Sequence, residues 1–424
     1  MSRTRVIVFT LVGAVALIAR PLGLGQSVPN GQHWVGTWFA ASTARVDPVA
    51  ATAQSGLHFD NQTLRQIVHI SLGGPRVRVT LTNTFGTAPL AIGAAQVALR
   101  DKDATIVPQS NRVLTFGGAT RATVPAGAIL VSDPVDLVVR DGSDLAIDLY
   151  LPDSTAAMKS PITTHPAAWQ TNYVSASGNH AGVVALPVQA TTEYRRGDGL
   201  QCATSFFLSR VEVLAPQSAG AVVTIGDSIT DGTGSTIDTN RRWPDYLARR
   251  LAGASIRMGV LNAGIGGNRV LNEGNGPSAL ARFDRDVIAQ TGVTHVIVLE
   301  GINDIGQARQ NPSPGAPELI AGHKQMIERA HARGLKSYGA TLTPFEGAGA
   351  WTAEGEAKRQ ALNDWIRTSR MYDAVFDFDA VTRDPNRPTR LRASFDPGDH
   401  LHLNAAGYEA VANAIDLNLF RQTR

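Results

Sequence analysis

The stretch Ala221-Val-Val-Thr-Ile-Gly-Asp-Ser-Ile-Thr230 decides the fold. Ala221 to Ile225 carry no charge, a glycine ends the run, and a serine follows two places on. A strand buried on both faces of a parallel sheet reads as a continuous apolar run, so 221–225 is expected to be a central strand. Gly226-Asp-Ser228 then forms the turn at its C-terminal end, where open α/β sheets hold their ligands. A lone serine is a poor nucleophile at neutral pH. Its partners must come from elsewhere in the chain.

Downstream of this stretch, strand-like and helix-like segments alternate. Strands are expected over 256–261, 296–299, 336–342 and 374–378. Trp243-Pro244 opens a helix with Leu247 and Leu251 four apart, proline being tolerated in a first turn. Leu280, Phe283, Val287 and Ile288 mark another helical face, and 319–332, 354–369 and 405–420 read as further helices. Strands separated by helices imply right-handed βαβ units. Residues 220–424 are therefore expected to form a doubly wound α/β domain, a parallel sheet with helices on both faces.

Upstream, from about Trp34 to Leu214, the pattern is different. Arg76 to Thr82 alternates buried-type Val77, Val79 and Leu81 with polar neighbours, as a half-buried antiparallel strand does. Similar runs occur over 64–71, 94–99, 144–151 and 206–213, punctuated by glycines and with no long amphipathic helix. Residues 30–215 are expected to be an all-β sandwich or jelly roll, with the boundary at Ala215-Pro-Gln-Ser-Ala-Gly220. His33, His58, His69, His165 and His180 show no metal-ligand spacing and are read as turn or core histidines. Trp34, Trp38 and Trp169 suit packing, with a sugar platform as the alternative.

The 424 residues, 43% of them hydrophobic, suffice for two full cores. The net charge of +3 comes without a Lys/Arg block, so no nucleic-acid partner is expected. Arg3 and Arg5, the uncharged 6–19 and a Gly-rich passage resemble a secretory signal peptide over 1–25. Export, to the outside or the periplasm, is expected, with no stable membrane insertion once the signal is removed. Cys202 stands alone, so no intrachain disulfide forms.

Four islands in the second half could carry chemistry: Gly226-Asp-Ser228, Asn262-Ala-Gly-Ile-Gly-Gly-Asn268, Gly301-Ile-Asn-Asp304 and Asp399-His-Leu-His402. The first three follow expected strands, which brings their loops to one rim of a sheet. Acyl transfer would use Ser228 as nucleophile, His402 as general base and acid, and Asp399, three residues earlier, to orient the imidazole. Gly267, Asn303 and the Ser228 amide are candidate oxyanion donors. His400 is the rival of His402, and Arg269 a candidate substrate contact. Each candidate also suits a bland role: Ser228 as a helix N-cap, Gly267 as a turn glycine, Asn303 as a cap or turn residue. Asp227, Asp231 and Asp304 read as turn or hydrogen-bond residues.

As an ordered set, these blocks, with Leu403-Asn-Ala-Ala-Gly-Tyr408 after the last, resemble the four signature blocks of the GDSL or SGNH hydrolases. The serine, glycine, asparagine and histidine of that family's name match Ser228, Gly267, Asn303 and His402. Isoleucine follows Ser228 where leucine names the motif, and Gly266 stands where many members have serine. Trp34-Val-Gly-Thr-Trp38 and 63–86 are similar to the β-rich N-terminal domain of some secreted members. The resemblance implies a secreted serine esterase working without metal or cofactor. Short acyl esters of a polysaccharide or oligosaccharide are the expected substrate, with a lipase or lysophospholipase as alternative. An inactive carbohydrate-binding or adhesion protein is the alternative of another class.

Overall fold

The computed structural model describes residues 31–45, 58–195, 201–306 and 313–421. The expected signal segment lies outside them. The first half is built on two larger antiparallel sheets, with three smaller ones beside them among the described residues. One runs Gln32–Phe39, Leu208–Pro216, Gly74–Thr82, Val135–Val139, with Ile129–Val131 also on the third strand. The other runs Val188–Thr191, Tyr173–Ser177, Gln62–His69, Asp144–Leu151, Ala94–Leu99, Arg112–Val113. Val77, Val79 and Leu81 of one sheet and Leu64, Val68, Leu145 and Ile147 of the other are buried in a common core. The period-2 alternation thus gives a β-sandwich.

The second half is a five-stranded parallel sheet of β1 (Gly220–Gly226), β2 (Met258–Gly264), β3 (Val293–Leu299), β4 (Lys336–Ala340) and β5 (Ala374–Phe376), in the order β2-β1-β3-β4-β5. β1 is buried throughout, as its unbroken apolar run requires. The order reverses at β1, so a crevice opens between the carboxyl ends of the strands on either side of it. The helices are α1 (Ser228–Asp231), α2 (Trp243–Gly253), α3 (Ala279–Phe283), α4 (Ile302–Gly306), α5 (Ala316–His331), α6 (Ala353–Thr368), α7 (Phe378–Thr382) and α8 (Ala405–Asn413). α2 packs on α8, and α5 on α6.

Two local expectations are corrected. The face starting at Leu280 is not one α-helix: α3 passes at Asp284 into a π-turn over Asp284–Ile288. The last helix stops at Asn413 and a separate 3-10 turn covers Leu417–Phe420, because the Asp416 carboxylate takes the Asn418 amide and starts a new turn. The cap of α1 is Asp227, whose Oδ1 accepts from the Ile229 amide at 2.9 Å. Ser228 is thereby left as the first residue inside the helix, its hydroxyl not spent on capping.

The sandwich lies against the outer edge of the parallel sheet. The Gly36 amide donates to Thr291 O at 2.9 Å, and the Val260 amide of β2 donates to Ser71 Oγ at 2.8 Å. At Gly259 a Cβ would stand 2.0 Å from Gly36 O, so only glycine permits this approach. The apolar core runs without a break from Val35 and Val213 to Val222 and Leu261.

Candidate active site

Ser228 follows β1, Gly267 follows β2 and Asn303 follows β3, so the parallel order sets all three at one end of the sheet. The His402 loop reaches the same place from the start of α8. Asn404 caps that helix by accepting the Gly407 amide at 3.1 Å, and Tyr408 Oη donates to Thr233 O at 2.5 Å. The histidine loop is thus held against the segment that follows Ser228.

Three of the expected side chains, those of Ser228, His402 and Asp399, meet directly. His402 Nε2 lies 2.8 Å from Ser228 Oγ, and His402 Nδ1 lies 2.5 Å from Asp399 Oδ2. Asp399 Oδ1 accepts the amides of Leu401 and His402, each at 3.0 Å. Half-burial pushes the Asp399 carboxyl up, but the hydrogen bond and charge of His402 and these two amides outweigh it. The group is held well below the usual carboxylate range. It is therefore an anion at neutral pH and fixes the Nδ1–H tautomer of His402. Asn303 is buried, with Nδ2 donating to Asn268 O at 3.0 Å.

Gly267 has φ +77°, and a Cβ there would stand 2.3 Å from Asn275 Nδ2. Asn275 Nδ2 donates to Gly266 O at 3.0 Å. That carbonyl shares a peptide plane with the Gly267 N–H, so the bond sets the direction of the amide. Ser228, Gly267, Asn303 and His402 line one cavity of about 600 Å³ with Asp231, Ile265, Gly266, Gly274, Asn275, Gly276 and Leu401. Thr43, Ala44, Thr164, Pro166 and Ala167 of the sandwich form its remaining wall.

His400, the rival base, is turned away: its Nδ1 lies 2.5 Å from Asp396 Oδ2 and its side chain is half exposed. Arg269 is buried and does not line the cavity. Trp169 is buried and Trp34 stacks under the Arg78 guanidinium at 4.6 Å, so neither forms a platform in the cavity. No group of three or more His, Cys, Asp or Glu that could hold a metal occurs among the described residues.

Sequence reasoning passed over two supports. Arg282, fully buried on the inner side of α3, donates to Gly226 O at 3.0 Å, Ala263 O at 2.6 Å and Asn268 Oδ1 at 3.0 Å. It thereby ties together the ends of β1 and β2 that carry Ser228 and Gly267. Its position between Leu280 and Phe283 on an apolar face was the available signal. The second is Glu300, which belongs to a group of buried carboxyls with Asp227 and Asp304, both expected as turn or hydrogen-bond residues. Burial raises Asp227 to about 7 and Asp304 to about 6, and with the neighbouring Asp227 charge it raises Glu300 well above its usual value. Asp304 also accepts the amides of Val270 and Leu271, at 2.8 and 3.2 Å, fastening α4 to the glycine-rich loop.

Residues 224–410 match the GDSL-like lipase/acylhydrolase family. This part of the chain is a GDSL-like lipase/acylhydrolase domain by that match. Among solved structures it is similar to an aryl esterase of M. smegmatis, at 15% identity and TM-score 0.38, over 46% of this chain and 96% of that one. A carbohydrate acetylesterase family member from Sinorhizobium meliloti shows 18% identity and TM-score 0.37, over 46% and 94%. A GDSL-like lipase from Bacteroides thetaiotaomicron shows 19% and 0.34, over 46% and 84%. No curated protein sequence matches the chain.

Proposed function

We propose that the protein is an exported serine esterase that cleaves short acyl esters, acetyl groups on a polysaccharide or oligosaccharide, through an acyl-enzyme. Its working parts are the β-sandwich of 30–215 and the hydrolase domain of 220–424. The observation that carries the reading is the chain Ser228 Oγ, His402 Nε2, His402 Nδ1, Asp399 Oδ2, with contacts of 2.8 and 2.5 Å. His402, held with Nδ1 protonated, has Nε2 available to take the serine proton as Oγ attacks the ester carbonyl. The amides of Ser228 and Gly267 and the carboxamide of Asn303 receive the oxyanion. His402 then passes the proton to the leaving alcohol, and water repeats the sequence on the acyl-enzyme.

Thr43 and Asn275 on the Ser228 cavity offer a hydroxyl and a carboxamide to a polyhydroxylated alcohol. No helix among the described residues is long and apolar enough to cross a membrane. The test is release of p-nitrophenol from its acetate by wild type and Ser228→Ala, followed by acetylated oligosaccharides against lysophospholipids. Equal rates for two folded proteins would sink the serine mechanism, and preference for the lipid would sink the carbohydrate substrate. N-terminal sequencing of protein recovered from the medium checks export.

A further inference from the structure

His165 belongs to the sandwich, at the end of the strand Ile162–His165, yet its side chain reaches into the hydrolase domain. Its Nε2 lies 3.0 Å from Asp231 Oδ1 and its Nδ1 lies 2.9 Å from Ala41 O. A carbonyl and a carboxylate only accept, so both ring nitrogens donate and the ring is an imidazolium. Burial opposes that charge, but the charge and hydrogen bond of Asp231, with the bond to Ala41 O, overcome it and raise the ring above its ordinary value. Arg242 is the other charged group acting on the ring, and it opposes the cation.

The second oxygen of Asp231 faces the site. Asp231 Oδ2 accepts the Gly266 amide at 3.0 Å, three residues along α1 from Ser228. The Gly266 carbonyl is taken by Asn275. The peptide groups leading to the Gly267 amide are therefore held from both sides, by Asp231 within the hydrolase domain and, through Asp231, by the sandwich.

We propose that His165 is a positioning residue for ester hydrolysis: bound to Asp231, it fixes the Gly266–Gly267 loop, so the sandwich completes the oxyanion site. The inference rests on the serine-esterase reading. A donor that is misaligned weakens binding of the oxyanion and leaves ground-state binding of the ester nearly untouched. Complete loss of one donor costs ~10²–10³ in kcat, and a displaced donor costs less.

The test compares kcat and KM for p-nitrophenyl acetate in wild type, His165→Gln, Asp231→Ala and Asp231→Asn, with active sites counted by titration with diethyl p-nitrophenyl phosphate. His165→Gln and Asp231→Ala are expected to lose about 10- to 100-fold in kcat per titrated site with KM within about two-fold. Asp231→Asn can give Gly266 N–H an oxygen and give neutral His165 Nε2 a hydrogen, so it recovers at least about ten-fold over Asp231→Ala. It is also expected to remove the alkaline loss of kcat expected of wild type as His165 deprotonates.

If Ser228→Ala is inactive but His165→Gln keeps the wild-type kcat and pH profile, the positioning role is overturned and the serine reading stands. An effect confined to KM overturns it equally. Should His165→Gln fail to fold, the Asp231 pair decides: equal kcat for the asparagine and alanine variants overturns the proposal.

Discussion

Replacing Asp399 by asparagine is expected to damage turnover more than replacing it by alanine, although asparagine is the closer mimic. Asp399 Oδ1 already accepts two amides, those of Leu401 and His402 at 3.0 Å. A carboxamide must keep its oxygen there, because its NH₂ would meet two donors. Its NH₂ is then directed at His402 Nδ1, 2.5 Å from the present Oδ2. Nδ1 is forced to accept, the proton moves to Nε2, and Nε2 can no longer take the proton of Ser228 Oγ. A wrong-tautomer histidine costs ~10⁴ in kcat, about 5.4 kcal/mol of barrier at 1.36 per decade. Alanine imposes no tautomer, and the half-exposed position lets water stand beside Nδ1. Its loss is expected at ~10²–10³, the lower part of what a positioned base contributes. The assay is p-nitrophenyl acetate hydrolysis at saturating ester, with circular dichroism to show that both variants fold. An asparagine variant as active as alanine, or more so, would refute the reasoning.

Two further outcomes follow from contacts away from the reacting atoms. Gly259→Ala would press a methyl against Gly36 O, 2.0 Å away, and is expected to lower stability by ~1–3 kcal/mol; an unchanged thermal midpoint would show that the sandwich yields at this seam. Burial raises Asp227 to about 7, above its unfolded value, so the folded state holds an extra proton between roughly pH 4 and 7 and stability falls as pH rises through that window. Asp227→Asn keeps an oxygen for the Ile229 amide but cannot ionise. Its urea stability is therefore expected to change less than wild type from pH 4.5 to 7, and parallel profiles would count against the assignment.

The parts of this fold legible in the sequence are those governed by local periodicity. Val77, Val79 and Leu81 announced a sandwich strand, and Leu247 and Leu251 a helix, because each pattern needs only neighbours within a few residues. Ser228, Asn303, Asp399 and His402 were legible for another reason: each stands beside a strand end or a helix start, and a parallel sheet sends such points to one rim. The break of α3 at Asp284 was not legible, since Val287 and Ile288 follow Phe283 by four and five residues, which suits an α-turn and a π-turn alike. Nor was the pairing of His165 with Asp231. It joins residues 66 positions apart, in parts that the sequence presents as separate, and a buried histidine leaves no trace in periodicity.

That pairing bears on how the two halves work together. β2 is an edge strand, and edges left open invite pairing with other chains. Here the sandwich covers that edge, with Gly36 against Gly259 and Ser71 on the Val260 amide. Two domains joined by a small polar interface are expected to move relative to one another, whereas this seam continues the apolar core from Val35 through Leu261. Thr164, Pro166 and Ala167 are therefore expected to hold their place beside Ser228 in the cavity, as Gly267 does. A histidine that reaches from one half into the other can hold a catalytic loop only under that condition. The seam is thus the structural condition on which the proposed role of His165 depends.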